Sequence, residues 1–191
     1  HAFMKFCSGI MNANFFFLVC AILYVTPLYI AAKNWLGKDR YFLFLMLVAS
    51  FSFWPYGTNG IRNGIATSIF ILGLSYYRNK YWMYSLLFVS YFIHGSMLIP
   101  IAAYILTLFY KNTKYFMFGW ILAIPVSLIF GSLMETFVMS LGIGGDRSYY
   151  LGLKGLEDRF SNVGFRWDFL LYSMSAIYAG YYFIIKRKFK N

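Results

Sequence analysis

The chain has 191 residues, of which 61% are hydrophobic, 24% aromatic and only 12% charged. A soluble domain carries about 25% charged residues, so this composition excludes a water-soluble core. The net charge of +11 raises nucleic acid as a partner; the basic residues, however, gather in short clusters between apolar runs, the habit of cytoplasmic loops in membrane proteins, which argues against it.

The chain opens at His1, and Ala2-Phe3-Met4-Lys5-Phe6 is not a signal peptide. It reads as the C-terminal part of something longer, with further spans before it. Cys7 and Cys20 are its only cysteines, and Cys20 lies inside the first apolar run. No disulfide, metal site or cofactor is expected from them.

A membrane-crossing helix needs ~20 apolar residues, and shorter ones are tolerated. In chain order, spans are expected near 14–32, 41–56, 61–77, 81–93, 97–110, 115–133 and 168–185. The fold class is therefore all-α: a polytopic transmembrane helix bundle of about seven spans forming one membrane domain. Residues 81–110 are too long for one comfortable helix, and Gly95 and Pro100 break the run. Two short helices meeting near His94 are the better reading.

Charge supports that division. The loops at 33–40, 78–80, 111–114 and 186–191 fall on one side and hold eleven of the 17 basic residues with one acid, Asp39. That side is cytoplasmic by the positive-inside rule, and so is the C-terminus. Everything polar that remains then lies at the outer boundary. It includes an outer-face loop at 141–167, whose glycines at 142, 144, 145, 152, 155 and 164 argue for irregular structure.

Three polar spots could carry chemistry. The first is Thr58-Asn59-Gly60-Ile61-Arg62-Asn63-Gly64-Ile65-Ala66, where Arg62, Asn59 and Asn63 stand at the mouth of an apolar helix. Helical spacing sets Arg62 above Ala66, Ile69 and Gly73, at the head of a groove with small side chains that suits an anionic lipid. Simple snorkelling to lipid phosphates is the bland alternative, and it needs no amides. The second is His94 in Phe92-Ile93-His94-Gly95-Ser96. An imidazole there could act as base or donate to phosphate or a sugar hydroxyl; the bland role is a hydrogen bond within the bundle, with Ser90 one turn back. The third is Gly164-Phe165-Arg166-Trp167-Asp168. Asp168 suits a helix N-terminus, Arg166 is its ion-pair partner or a second phosphate ligand, and Tyr172, Ser175 and Tyr182 continue a partly polar face. In the loop, Tyr149 and Tyr150 beside Arg147 suit sugar stacking. With no metal in view, arginines must supply counter-charge to any departing pyrophosphate. One charge at 4 Å is worth about 4 kcal/mol at an effective dielectric of 20.

These segments resemble the EpsG family of exopolysaccharide polymerases, Wzy-like integral membrane enzymes of bacterial surface glycans. The resemblance lies in Phe53-Trp54-Pro55 through Ala66, in Phe92 to Ser96, and in Phe165-Arg166-Trp167-Asp168-Phe169-Leu170-Leu171-Tyr172. It covers roughly residues 41–185. It implies an enzyme that joins undecaprenyl-diphosphate-linked oligosaccharide repeat units on the outer face of the bacterial cytoplasmic membrane, for capsule, exopolysaccharide or O-antigen. Chain-length regulator and flippase proteins are the partners it implies, besides the bilayer.

The expectation is therefore a metal-independent glycosyltransferase. Arg62 and Arg166 would grip the donor diphosphate, with His94 or Asp168 as the base. Asn59, Asn63, Arg147, Tyr149 and Tyr150 would bind substrate. A flippase of lipid-linked oligosaccharide is one competing class, and a glycan ligase or O-acyltransferase is another.

Overall fold

Asn12 starts the first helix, its side chain accepting the backbone N–H of Phe15 at 2.9 Å. In the computed structural model, residues 9, 11–110, 112–140 and 167–187 are described, and every regular element among them is helical. Two compact units divide the chain, 1–101 and 102–191.

In the first unit, α1 runs Ala13–Leu36 for 24 residues and is of span length. Gly37 ends it with φ +53°, a left-handed value that glycine adopts without a Cβ clash. A 3-10 turn at Gly37–Asp39 leads into α2, Arg40–Val48. Were helix continuous from Ala13 to Val48, Tyr29 and Phe44 would stand about 22 Å apart along its axis. Their ring centroids are 5.6 Å apart. The chain therefore folds back, and α1 and α2 form a hairpin.

The second apolar run, expected as one helix over 41–56, is broken. The chain turns at 49–52 and resumes as α3, Phe53–Thr58. Pro55 has no N–H to continue a helix from Phe51, and Ser50 and Ser52 favour turns over helix interiors. A further break at Asn59–Gly60 precedes α4, Ile61–Ser75, which α5, Lys80–Ile93, follows after a short turn. Then come a 3-10 turn at Gly95–Met97 and α6, Leu98–Phe109.

Packing puts α4 between α1 and α5. Ile65 joins Cys20, Tyr24, Leu28 and Phe53 in the buried cluster. The Tyr24 hydroxyl donates to the Phe53 carbonyl at 3.0 Å, and the two rings stack at 5.0 Å. At the far end of α4, Asn34 donates to the Ser75 hydroxyl at 2.9 Å. On the α5 side, a Cβ added at Gly73 would meet Leu86, Leu87 and the Met83 carbonyl at 3.2–3.3 Å. Small residues here let helices approach where lipid offers no hydrophobic drive between them. Buried hydroxyls of Ser68 and Ser90 are satisfied by Ile65 and Leu87 carbonyls on their own helices.

One consequence is a two-ended arrangement within this unit. Residues 34, 75 and 78–80 gather at one end; 58–63 and 94–96 gather at the other. The basic residues Lys33, Lys38, Arg40, Arg78 and Lys80 thus sit opposite Arg62 and His94. Arg40 leans on the Tyr41 ring at 4.8 Å and donates to the Tyr29 hydroxyl at 3.0 Å, and Arg78 lies 5.6 Å over Tyr77.

In the second unit, α7 runs Thr113–Ser140, longer than the expected 115–133 because nothing after Gly131 breaks helix before Gly142. α8, Trp167–Gly180, continues into a wider turn at Tyr181–Lys186. The Trp120 indole donates to the Ser173 hydroxyl at 3.2 Å. On the polar face expected below Asp168, Tyr172 and Ser175 are exposed, and the inward hydroxyl is that of Ser173.

Large apolar side chains cover the outside. Phe42 is 74% exposed, Leu45 70% and Phe92 69%. Such surface is unfavourable in water and suits hydrocarbon. Among the described residues α1 with its continuation passes the length and apolarity test for a span, while Ile61–Ser75, Gly95–Phe109 and Thr113–Ile129 are apolar but shorter.

Candidate functional site

Pro100 explains why the chain bends at His94. A helix continuous through α5 and α6 would need an N–H from residue 100 to reach the Ser96 carbonyl, and proline has none. So α5 stops at Ile93, and His94 adopts an extended conformation, φ −150° and ψ 117°. Gly95 leads into the next turn in open space, where even a Cβ would touch nothing within 4 Å. The break itself falls on His94, with Pro100 accommodated in the first turn of α6.

This extended residue turns its imidazole towards the new helix start. The Ser96 backbone N–H donates to His94 Nδ1 at 3.2 Å, so the imidazole caps the turn that opens α6. The Ser96 hydroxyl lies 2.7 Å from the same nitrogen. That hydroxyl also lies 3.4 Å from Asn63 Oδ1, 33 residues back on α4. Two of the three polar spots marked in the sequence therefore meet through Ser96. Ser90, the expected partner of His94, instead spends its hydroxyl on the Leu87 carbonyl at 2.7 Å.

Asn63 and His94 are half-buried, and Arg62 and Asn59 are exposed. Arg62 lies in the first turn of α4, which holds no acid. The first turns of the 3-10 segment and of α6 also lack an acid. A helix start carries about half a positive charge. At α4 no side chain caps the first turn. Before α6 the N–H groups of Ser96, Met97 and Leu98 are taken by His94 Nδ1, the His94 carbonyl and the Gly95 and Ser96 carbonyls. Here the two starts are joined by the Asn63–Ser96 contact, and the residue before Asn63 is the exposed Arg62. The local field is positive on every count, which favours an anion of phosphate type.

The groove expected beneath Arg62 is not open. Ala66 is fully buried, and Gly73 is filled by Leu86, Leu87 and Met83. An apolar cavity lies on the other flank, about 440 Å³ in volume, between α1 and α3. Cys20, Tyr24, Phe53, Trp54, Gly57 and Ile61 are among the residues lining it. Gly64 stands at the junction: a Cβ there would come within 2.8 Å of the Tyr56 carbonyl. Its glycine lets the start of α4 lie against α3. The pairing of Gly60 and Gly64 thus packs α4 on its own preceding helix.

Arg147, Tyr149, Tyr150 and Arg166 lie outside the described residues. So does the side chain of Asp168, whose backbone belongs to the first turn of α8. Ser96 is the residue that sequence reasoning passed over. Its signal was the His-x-Ser spacing, since a hydroxyl two residues beyond a helix-ending His is placed to cap back onto it.

A match to the EpsG family runs over residues 1–191. The chain belongs to the EpsG family. Neither a curated protein nor a solved structure matches this EpsG-family chain. Membership fits a polysaccharide polymerase acting at a membrane.

Proposed function

We propose that this EpsG-family protein is a glycosyltransferase that polymerises undecaprenyl-diphosphate-linked oligosaccharide repeat units on the outer face of the bacterial cytoplasmic membrane. The observation that carries the reading is the junction of two acid-free helix starts, through Asn63 and Ser96, beside Arg62. A diphosphate is the anion in a lipid-linked glycan, and this is where its charge is best met. The apolar cavity beside α3, at about 440 Å³, is of a size that holds a stretch of lipid chain.

The chemistry is an exchange of one C–O bond for another. An acceptor hydroxyl oxygen attacks the anomeric carbon of the donor repeat. The bond from that carbon to the diphosphate breaks, and its electron pair leaves with the diphosphate oxygen. The hydroxyl proton passes to a base, for which the sequence offers His94 or a carboxylate such as Asp168. Arg62 and the helix starts meet the charge that grows on the leaving group. Fixed donors of this kind are worth about 10²–10³-fold in rate each. Arg166 as a second phosphate ligand, and Arg147, Tyr149 and Tyr150 as a glycan platform, belong to the same proposal.

Incubating the purified protein with purified lipid-linked repeat units tests it. A ladder of polymer on lipid supports the reading. Repeats that change leaflet unmodified in vesicles mean a flippase, and repeats acylated or moved to another acceptor mean an acyltransferase or ligase; either outcome overturns it.

A further inference from the structure

His94 carries a second piece of information, because its two ring nitrogens are not equivalent. Nδ1 faces the Ser96 backbone N–H at 3.2 Å, and a backbone N–H can only donate. Nδ1 must therefore accept, whichever way the Ser96 hydroxyl turns. That hydroxyl has one proton, and its 2.7 Å approach to Nδ1 is the shorter of its two contacts, against 3.4 Å to Asn63. Two donors thus converge on one nitrogen. A neutral imidazole held this way has its proton on Nε2.

We propose that Ser96 is a positioning residue that holds His94 as the Nε2–H tautomer, so that His94 serves the reaction as a hydrogen-bond donor to a diphosphate oxygen of the substrate and not as the base. An Nε2 that already carries a proton cannot take one from an acceptor hydroxyl. It donates to the leaving group's oxygen throughout, and the proton stays on the ring. The base is then a carboxylate, the other candidate named above. The identity of the oxygen rests on the polymerase reading; the tautomer does not.

Two measurements separate these. The chain holds only two histidines, His1 and His94, so ¹⁵N-histidine NMR of the intact protein in lipid nanodiscs is assignable with a single His94→Asn control. The expected spectrum has a protonated Nε2 and an unprotonated Nδ1 at neutral pH. Ser96→Ala keeps the backbone N–H and loses only the hydroxyl, so the ring is expected to stay Nε2–H while the Nδ1 resonance shifts with the loss of its second donor, and Ser96→Thr to restore the original shift. A wild-type ring protonated on Nδ1, or an Nδ1 resonance that Ser96→Ala leaves unmoved, overturns the proposal.

The second measurement is polymerisation by His94 variants. Asn keeps the cap on residue 96 and tests whether loss of activity is merely structural. Gln reproduces a donor near the Nε2 position, and Glu supplies a base in place of a donor. The expected order is Gln above Asn and Glu, with the latter two reduced about 10²–10³-fold. Glu outperforming Gln would assign His94 as the base and end the proposal. If wild-type protein makes no polymer while its NMR shows the Nε2–H ring, the function fails and the tautomer stands.

Discussion

Asn63, Ser96 and His94 form a chain of polar atoms whose parts have very unequal strength. The 2.7 Å contact between Ser96 and Nδ1 is a full hydrogen bond, whereas 3.4 Å from Ser96 to Asn63 is at the outer edge of one. Asn63→Ala should therefore cost under about 1 kcal/mol of stability. Its effect on polymerisation should be larger, since it loosens a side-chain contact between the α4 start and the His94 turn, which Thr67 and Met97 also link at 3.9 Å. Melting in detergent and ladder formation on the same preparation check this; a fall in melting temperature that accounts for the lost activity would contradict it. The residue types were legible in the sequence, because an arginine, two asparagines and a histidine are conspicuous among apolar neighbours. Their pairing was not. Ser90 and Ser96 stand at comparable spacing from His94, and only the extended backbone at 94 decides between them.

Helix boundaries were the most legible feature at the scale of elements. Apolar run length and the proline positions located α1, α4, α5 and α6 within a few residues. Where the expectation missed, at the break over 49–52, the apolar run 41–56 showed no gap in hydrophobicity, and Pro55 sits in the first turn of a new helix. Packing between elements was less legible. Gly60 and Gly64 announce a close approach, and the partner turns out to be α3, the helix just before them. The difference has a measurable form. Gly64→Ala drives a Cβ to within 2.8 Å of the Tyr56 carbonyl, a backbone atom that cannot swing aside. It should cost about 1–3 kcal/mol. Gly95→Ala meets nothing within 4 Å, and it should be neutral to stabilising by about 0.4–1 kcal/mol. Equal melting temperatures for the two variants would mean that α3 and α4 do not lie against each other in this way.

Across the whole molecule, charge and contacts agree within the first unit. Basic clusters at Lys33 to Arg40 and Arg78 to Lys80 share one end, where Arg40 and Arg78 lie against tyrosines, while the polar motifs share the other. On the proposed topology, the end carrying Asn59 and Ser96 faces outward. In a protein whose Cys7 and Cys20 are replaced, a cysteine at Asn59 should react with a membrane-impermeant thiol reagent on intact cells, and one at Lys38 only after permeabilisation. The reverse pattern would invert the topology and remove the site from the face on which the proposed reaction is placed. The sequence reached this arrangement through the placement of arginine and lysine alone, because loops of few residues leave little else to read.

Arg62 is where these scales meet: an exposed cation in the first turn of α4, near a second helix start, in a chain whose family membership fits a polysaccharide polymerase. The most direct measurement is the product ladder made from purified lipid-linked repeats by wild type, Arg62→Ala and Arg62→Lys at equal protein levels. Loss of polymer in the alanine variant, with little recovery in lysine because a point charge cannot grip a diphosphate in bidentate fashion, is the predicted result. A wild-type ladder from Arg62→Ala would contradict the claim that this end of the molecule holds the donor.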